Sequence, residues 1–186
     1  MGENEIKIGD QTWTSKNLEV STYRNGDVIP QVQDASTWAN LKTGAWCYYN
    51  KLTANGTTYG KLYNWYAVND PRGLAPNGYL IPSDAEWTIL TDYLGGEAVA
   101  GTKMKSPSGW QNNGNGSNTS GFAGLPGGYR NGNGNFDAIG DFGSWWSSSE
   151  NGTRDAWYRS LTNGYDDVLR SSSYMQNGFS VRCLRD

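Results

Sequence analysis

LIPSDAEW, residues 80–87, carries the clearest helix-start signal in the chain. Pro82 cannot extend a helix that begins before it, Ser83 is a favoured N-cap, and Glu86 stands three residues on. At that spacing a serine hydroxyl and a glutamate carboxylate cap the first turn reciprocally. Beyond the cap, Trp87, Leu90 and Leu94 fall on one helical face, and Gly95 and Gly96 stop the run. The spacing predicts a helix over Ser83–Leu94. A weaker helix is expected over Asp34–Leu41, with Trp38 and Leu41 facing inward and Gly44 beyond its end.

The rest of the chain reads as turns and strands. Asn-Gly recurs from Asn25 to Asn177, and each pair is a turn signal because both residues tolerate positive φ. Between the turns lie short aromatic runs, Trp46–Asn50, Leu62–Val68, Trp145–Ser149, Ala156–Leu161 and Phe179–Leu184, which read as strands. The Gly-, Asn- and Ser-rich segment from Ser106 to Asn135 is expected to be a long ordered loop pinned by Trp110, Phe122, Leu125 and Tyr129, since a disordered segment would lack such anchors. With two short helices in the first half and strands in the second, the fold class is α+β with small, mainly antiparallel sheets and long ordered loops. The 186 residues suit a single domain, 1–186.

Composition narrows the function. Nine Trp and twelve Tyr against four Phe supply amphipathic rings, which suit half-buried positions and contact surfaces better than a plain aliphatic core. The net charge of −3 is small and mixed, with no basic run to track a phosphate backbone, so nucleic acid is not an expected partner. No apolar stretch is long enough to span a bilayer, and membrane insertion by this segment is not expected. The chain has no histidine, which removes Ser-His-Asp and Cys-His catalysis, and no enzyme activity is expected. Cys47 and Cys183 either pair or stand as separate small core residues; their spacing decides neither.

Several strings are specific enough to compare with a family: WTSKNL at Trp13–Leu18, YGKLYNWYAV at Tyr59–Val68, LIPSDAEW at Leu80–Trp87, GFAGLPGGYR at Gly121–Arg130, WWSSSE at Trp145–Glu150 and GFSVRCLRD at Gly178–Asp186. Together they resemble the major paralogous domain first recognised in Fibrobacter succinogenes and common in Bacteroidetes surface proteins, over nearly the whole chain from Ile6 to Asp186. At Ala75 the chain departs from relatives that often carry a cysteine before Pro-x-Gly. The resemblance implies a C-type-lectin-like fold of the branch shared with formylglycine-generating enzymes, with the C-terminal strand packed near the N-terminal one. The reactive cysteine pair of those enzymes has no matching local motif around Cys47 or Cys183. The tail is also similar to the variable proteins of diversity-generating retroelements, receptor binders on phage tails and cell surfaces. That implies an extracellular place on a bacterial surface or virion and a protein or glycan receptor as partner.

The residues of the tail, 144–186, support a binding reading by their own chemistry. Between the anchors Trp145–Trp146 and Phe179–Cys183, Glu150 to Asn177 consists mainly of Ser, Asn, Asp, Gly, Thr and Tyr, a combination of rigid aromatic contact and adaptable hydrogen bonding. Strand alternation predicts Trp157, Arg159 and Leu161 inward with Tyr158 and Ser160 outward, and, further on, Val168 and Arg170 inward. The expected ligand contacts are Tyr158, Ser160, Thr162, Asn163, Tyr165, Asp166, Asp167, Leu169, Ser171, Ser173, Tyr174 and Gln176. Most of these residue types can be reached from an asparagine codon by changing its adenines, as adenine-directed diversification requires. The rival reading is a fixed adhesion or carbohydrate-binding module.

Asn131-x-Asn133-x-Asn135-x-Asp137, followed by Asp141, has the oxygen density of a calcium loop. It lacks a bidentate glutamate and is read as a Gly-Asn turn, with no metal or cofactor expected.

Overall fold

The two ends of the chain meet in one sheet of the computed structural model, which describes residues 5–186. Strands β1 (Glu5–Ile8) and β2 (Gln11–Thr14) form a hairpin whose turn places Gly9 at φ 61°, a conformation glycine adopts without steric cost. Leu184 of the last strand, β11 (Leu184–Arg185), pairs with Trp13 on one side and with Leu80 of β5 (Tyr79–Leu80) on the other. Only part of the expected strand Phe179–Leu184 is regular, because the segment crosses between sheets. Phe179 and Ser180 bridge to Tyr63 and Trp145, while the carbonyl of buried Val181 accepts from the Leu18 amide at 2.8 Å.

The two expected helices are present. Helix α1 (Ala35–Ala39) is capped by Asp34 and buries Trp38. Helix α4 (Asp84–Tyr93) has both halves of the capping box, Ser83 N–H to Glu86 Oε2 at 2.7 Å and Glu86 N–H to Ser83 Oγ at 3.3 Å. The expectation of two helices alone is corrected, since α2 (Thr53–Tyr59), α3 (Trp65–Val68) and α5 (Glu97–Met104) also form. Helix α2 carries the turn-like pair Asn55-Gly56 in its interior, where a Cβ on Gly56 would fall 2.1 Å from the Tyr48 ring. Helix α3 is a single turn, Trp-Tyr-Ala-Val, held by the Asn64 side chain accepting from Ala67 N–H at 3.1 Å, so the expected strand Leu62–Val68 shortens to β4 (Leu62–Tyr63). The run Trp46–Asn50 likewise shortens to β3 (Trp46–Cys47), antiparallel to β4, followed by a 3-10 turn over Tyr49–Lys51.

The second half builds a five-stranded sheet in the order β10-β9-β8-β6-β7, from β6 (Gly127–Arg130), β7 (Phe136–Ile139), β8 (Phe142–Glu150), β9 (Asp155–Thr162) and β10 (Leu169–Tyr174). All pairs are antiparallel except β6 with β8. Core lies on both faces of this sheet. Trp145 points into a cluster with Trp13, Trp87, Phe122 and Leu161, and its neighbour Trp146 into another with Tyr63, Phe179 and Val181. Strand β6 sits inside the expected Ser106–Asn135 loop, which Trp110 and Phe122 anchor as buried side chains.

Two arginines from the family-like strings organise the loops. Buried Arg130 donates to the carbonyls of Val32, Gln33 and Gly134 at 2.6–2.9 Å, with its guanidinium over the Trp38 ring. Buried Arg182 donates to Asn17 Oδ1 and to the carbonyls of Thr14, Phe122 and Ala123. A forked donor can satisfy several loop carbonyls that no strand reaches, and that role explains the arginines of GGYR and VRC. Cys47 and Cys183 are free thiols buried in separate clusters, and burial pushes the pKa of each up to about 12. Among the described residues no helix is long and apolar enough to cross a membrane.

Candidate functional site

The site grows from the register of β9 with β10. Tyr158 lies opposite Ser171, Ala156 opposite Ser173 and Ser160 opposite Leu169, so these side chains share one face of the sheet. Over that face opens a cleft of about 890 Å³, within the size range of small-ligand sites. Its apolar wall is a chain of rings. Phe179 lies 4.3 Å from Trp146 and 4.8 Å from Tyr158, and Tyr129 contacts Phe179 and Phe142 edge-on at 6.0 and 6.4 Å. Tyr129 and Tyr158 are half-buried, and burial raises both phenol pKa values above 10, so both hydroxyls stay neutral.

Polar side chains complete the lining: Asn131, Asn133, Ser144, Arg154, Ser173, Tyr174, Gln176 and Asn177. Several are held in place internally. Asn131 Oδ1 and Asn133 Oδ1 both accept from the Asn135 amide, at 3.0 and 3.1 Å, which locks the β6–β7 turn. Asn177 Nδ2 donates to Ser173 Oγ at 2.5 Å and Gln176 Nε2 to the Tyr66 hydroxyl at 3.1 Å. Hydroxyls, amides and a single guanidinium bind by hydrogen bonding and ring contact.

The residues expected to contact ligand divide into groups. Tyr158, Ser173, Tyr174 and Gln176 line the cleft. Ser171 stands directly opposite Tyr158 in the β9–β10 register and backs its ring on the same face. Ser160, expected outward, is buried, and its hydroxyl pairs with Ser144 Oγ at 3.0 Å. Leu169 lies on the same face nearer the far end of the hairpin and is 42% exposed.

Thr162, Asn163, Tyr165, Asp166 and Asp167 stand at that far end, outside the cleft, where the β9–β10 connection docks on α5. There Lys105 Nζ donates to the Thr162 and Tyr165 carbonyls, Asn163 Nδ2 to Asp141 Oδ1 and Thr102 Oγ1 to Asp166 Oδ1. The Asp167 carbonyl packs against Gly101, and Tyr165 is 70% exposed.

Two inward expectations are also corrected. Trp157 is only half-buried, and Arg170 is exposed, its guanidinium 3.8 Å above the Trp157 ring and paired with Asp84 at 2.7 Å. The N-terminus of α4 covers this face with polar groups, so alternation there separates two environments without separating core from solvent. Arg159 is buried as expected, bonded to Asp84 and Thr88 of α4, and Val168 and Leu161 are buried as well.

Tyr129, Phe142, Asn131, Asn133, Arg154 and Asn177 enter the site without having been expected there. A signal for part of this set was present, because the doubled Asn-Gly between β6 and β7 sits in a tight turn that projects amides. Of the oxygen-rich stretch, Asp137 Oδ1 accepts from Ala138 N–H and Asp141 Oδ1 from Asn163, so these oxygens serve local turns. Among the described residues no group of three or more His, Cys, Asp or Glu is placed to hold a metal ion.

A family model described as the Fibrobacter succinogenes major domain matches residues 6–185. No curated protein and no solved structure matches the chain.

Proposed function

The chain belongs to the Fibrobacter succinogenes major domain family, and from that premise we propose that it is a ligand-recognition domain of C-type-lectin-like fold. It grips its ligand in the cleft on the Tyr158 face of β8, β9 and β10. One observation carries the reading: a concave surface of half-buried rings and internally braced amides stands on a sheet with core on both faces. Rigid placement of contact groups lowers the entropy cost of binding, and such a surface serves recognition better than an unbraced polar loop does.

The joined chain ends and the loops pinned by buried aromatics support the lectin-like fold. Segment 144–186 supplies most of β8, all of β9 and β10 and several cleft residues, which suits a diversified recognition surface exposed outside a bacterial cell or on a virion. The partner is then a cell-surface receptor. A search of the coding DNA tests the diversification: a nearby near-copy of the codons for 144–186 and a reverse-transcriptase gene are expected, and a lone gene with neither returns the domain to a fixed adhesion module.

Recognition itself is tested by binding. The chain is screened on arrays of immobilised glycans and peptides, and hits are measured with Ser173→Arg, which fills the cleft, and Tyr165→Ala, which lies outside it. Loss with the first and retention with the second is expected. Equal binding by both variants would remove the cleft from the function.

A further inference from the structure

We infer that the ligand of the cleft is an uncharged carbohydrate segment, an assignment that rests on the cleft being the recognition site. The inference comes from which hydrogen-bonding atoms the fold has used and which it has left. Asn131 and Asn133 each spend the side-chain oxygen on the Asn135 amide, and among the described residues neither Nδ2 has a partner. Gln176 and Asn177 are arranged the other way. Each spends its side-chain nitrogen internally, on Tyr66 and Ser173, and among the described residues Gln176 Oε1 and Asn177 Oδ1 have no partner.

The rim thus offers fixed donors from the β6–β7 turn and fixed acceptors from the segment after β10. A sugar hydroxyl both donates and accepts, and neighbouring hydroxyls on a ring engage such a mixed set in pairs. Between these groups lies the ring wall of Tyr129, Tyr158 and Phe179, an apolar surface for the C–H face of a pyranose.

Charge separates this ligand from the alternatives. Among the described residues Arg154 is the sole formally charged one lining the cleft, and it is exposed to solvent. One screened guanidinium gives little to an acidic polymer and cannot hold a nucleic-acid backbone. A peptide of ordinary composition brings side-chain charges for which the lining has no counterpart.

Gly132 is consistent with the same use. Its backbone is one that any residue can adopt, yet a Cβ there would stand 3.3 Å from Asn177 Oδ1, so the missing side chain leaves that acceptor uncovered.

Calorimetric titration of the full chain tests the inference, using cellohexaose, xylohexaose and mannohexaose as neutral probes, oligogalacturonate as the acidic probe and array-selected peptides as the third arm. At least one neutral oligosaccharide is expected to bind, with affinity changing less than about twofold between roughly 0.05 and 0.5 M NaCl. Gly132→Leu and Asn133→Ala, both in the β6–β7 turn and both checked for an unchanged thermal midpoint, are each expected to weaken it about tenfold.

Preferential binding of oligogalacturonate that salt abolishes would overturn the uncharged assignment. Neutral-sugar binding insensitive to both variants would overturn the placement in the cleft. If only peptides bind and Gly132→Leu blocks them, the carbohydrate class is wrong while the recognition site stands. If nothing that binds responds to cleft variants, both readings fall.

Discussion

Asp84→Asn removes the countercharge of a buried guanidinium at an almost unchanged volume. In the native chain Asp84 Oδ1 accepts from Arg159 Nη1 at 2.7 Å, where the Arg159 side chain is 1% exposed, and Asp84 Oδ2 accepts from Arg170 Nη2 at 2.7 Å, where Arg170 is 36% exposed. Breaking a fully buried ion pair costs about 3–5 kcal/mol, because the surviving charge stays desolvated. Asp84 is itself 19% exposed, and Arg159 keeps bonds to the Asp84 carbonyl and Thr88 Oγ1. Solvent screening and those remaining bonds lower the expected loss to about 2–3 kcal/mol. That is a large fraction of the stability of an ordinary domain, about 5–15 kcal/mol.

Urea unfolding followed by tryptophan fluorescence at pH 7 reads the change as a lower midpoint at an unaltered slope. The pH dependence supplies a second reading. Burial pushes the Asp84 carboxyl up, but hydrogen bonds from Arg170 and Arg159 outweigh it and hold the group below its ordinary 3.8. A depressed carboxylate stabilises the fold above its unfolded pKa and loses that contribution as pH falls through its folded pKa. The gap between native and Asp84→Asn proteins therefore narrows below about pH 4. A loss under about 0.5 kcal/mol at pH 7, typical of a surface substitution, would show that Arg159 does not depend on Asp84. A gap that stays constant into acid would refute the assignment to the ionised carboxylate.

Tyr158→Ala, which removes a half-buried ring 4.8 Å from Phe179, should lower stability by about 1–3 kcal/mol, less than a fully buried aromatic would; Tyr165→Ala, at a 70% exposed position, should change it by less than about 0.5 kcal/mol. Equal effects in chemical denaturation would contradict the two environments. With burial raising both thiols to about 12, Cys47 and Cys183 should resist a thiol-exchange reagent near pH 8 in the native protein and react together after unfolding; a native thiol that reacts promptly would contradict its burial. Gly101→Ala would place a Cβ 2.1 Å from the Asp167 carbonyl oxygen, so a loss of about 1–3 kcal/mol is expected from overpacking. Faster hydrogen exchange at the Val168 amide, which donates to the Glu97 carbonyl, should accompany it.

Much of the scaffold is legible because its signals are local. The Ser83–Glu86 box, the helix around Trp38 and the strand through Trp145 and Trp146 depend on residues within a few positions of one another, and each is present. Helix α3 and the interior glycine of α2 fail as local signals for the complementary reason. The conformation of Trp65–Val68 is decided by the Asn64 cap and by burial against β8, and Gly56 is required by a ring that approaches from Tyr48. Within the site, Tyr158, Ser173, Tyr174 and Gln176 are readable as a contact set, whereas Asn131, Asn133 and Tyr129 lie outside the tail in sequence and join it only because β6 and β7 extend the same sheet.

By itself the sequence determined the α+β class, the Ser83–Glu86 capping box, the paired tryptophans and a tail rich in contact residues. The tertiary structure decided which tail positions act together. Strand alternation assigns a side chain to one of two faces, but it does not say what covers each face, and here core lies against both. Ser160 is therefore buried against Ser144. Arg170 is held outside by Asp84, and the residues from Thr162 to Asp167 are drawn away to α5 by Thr102 and Lys105. Such outcomes depend on groups brought close by folding across long stretches of chain, and no pattern within the tail encodes them.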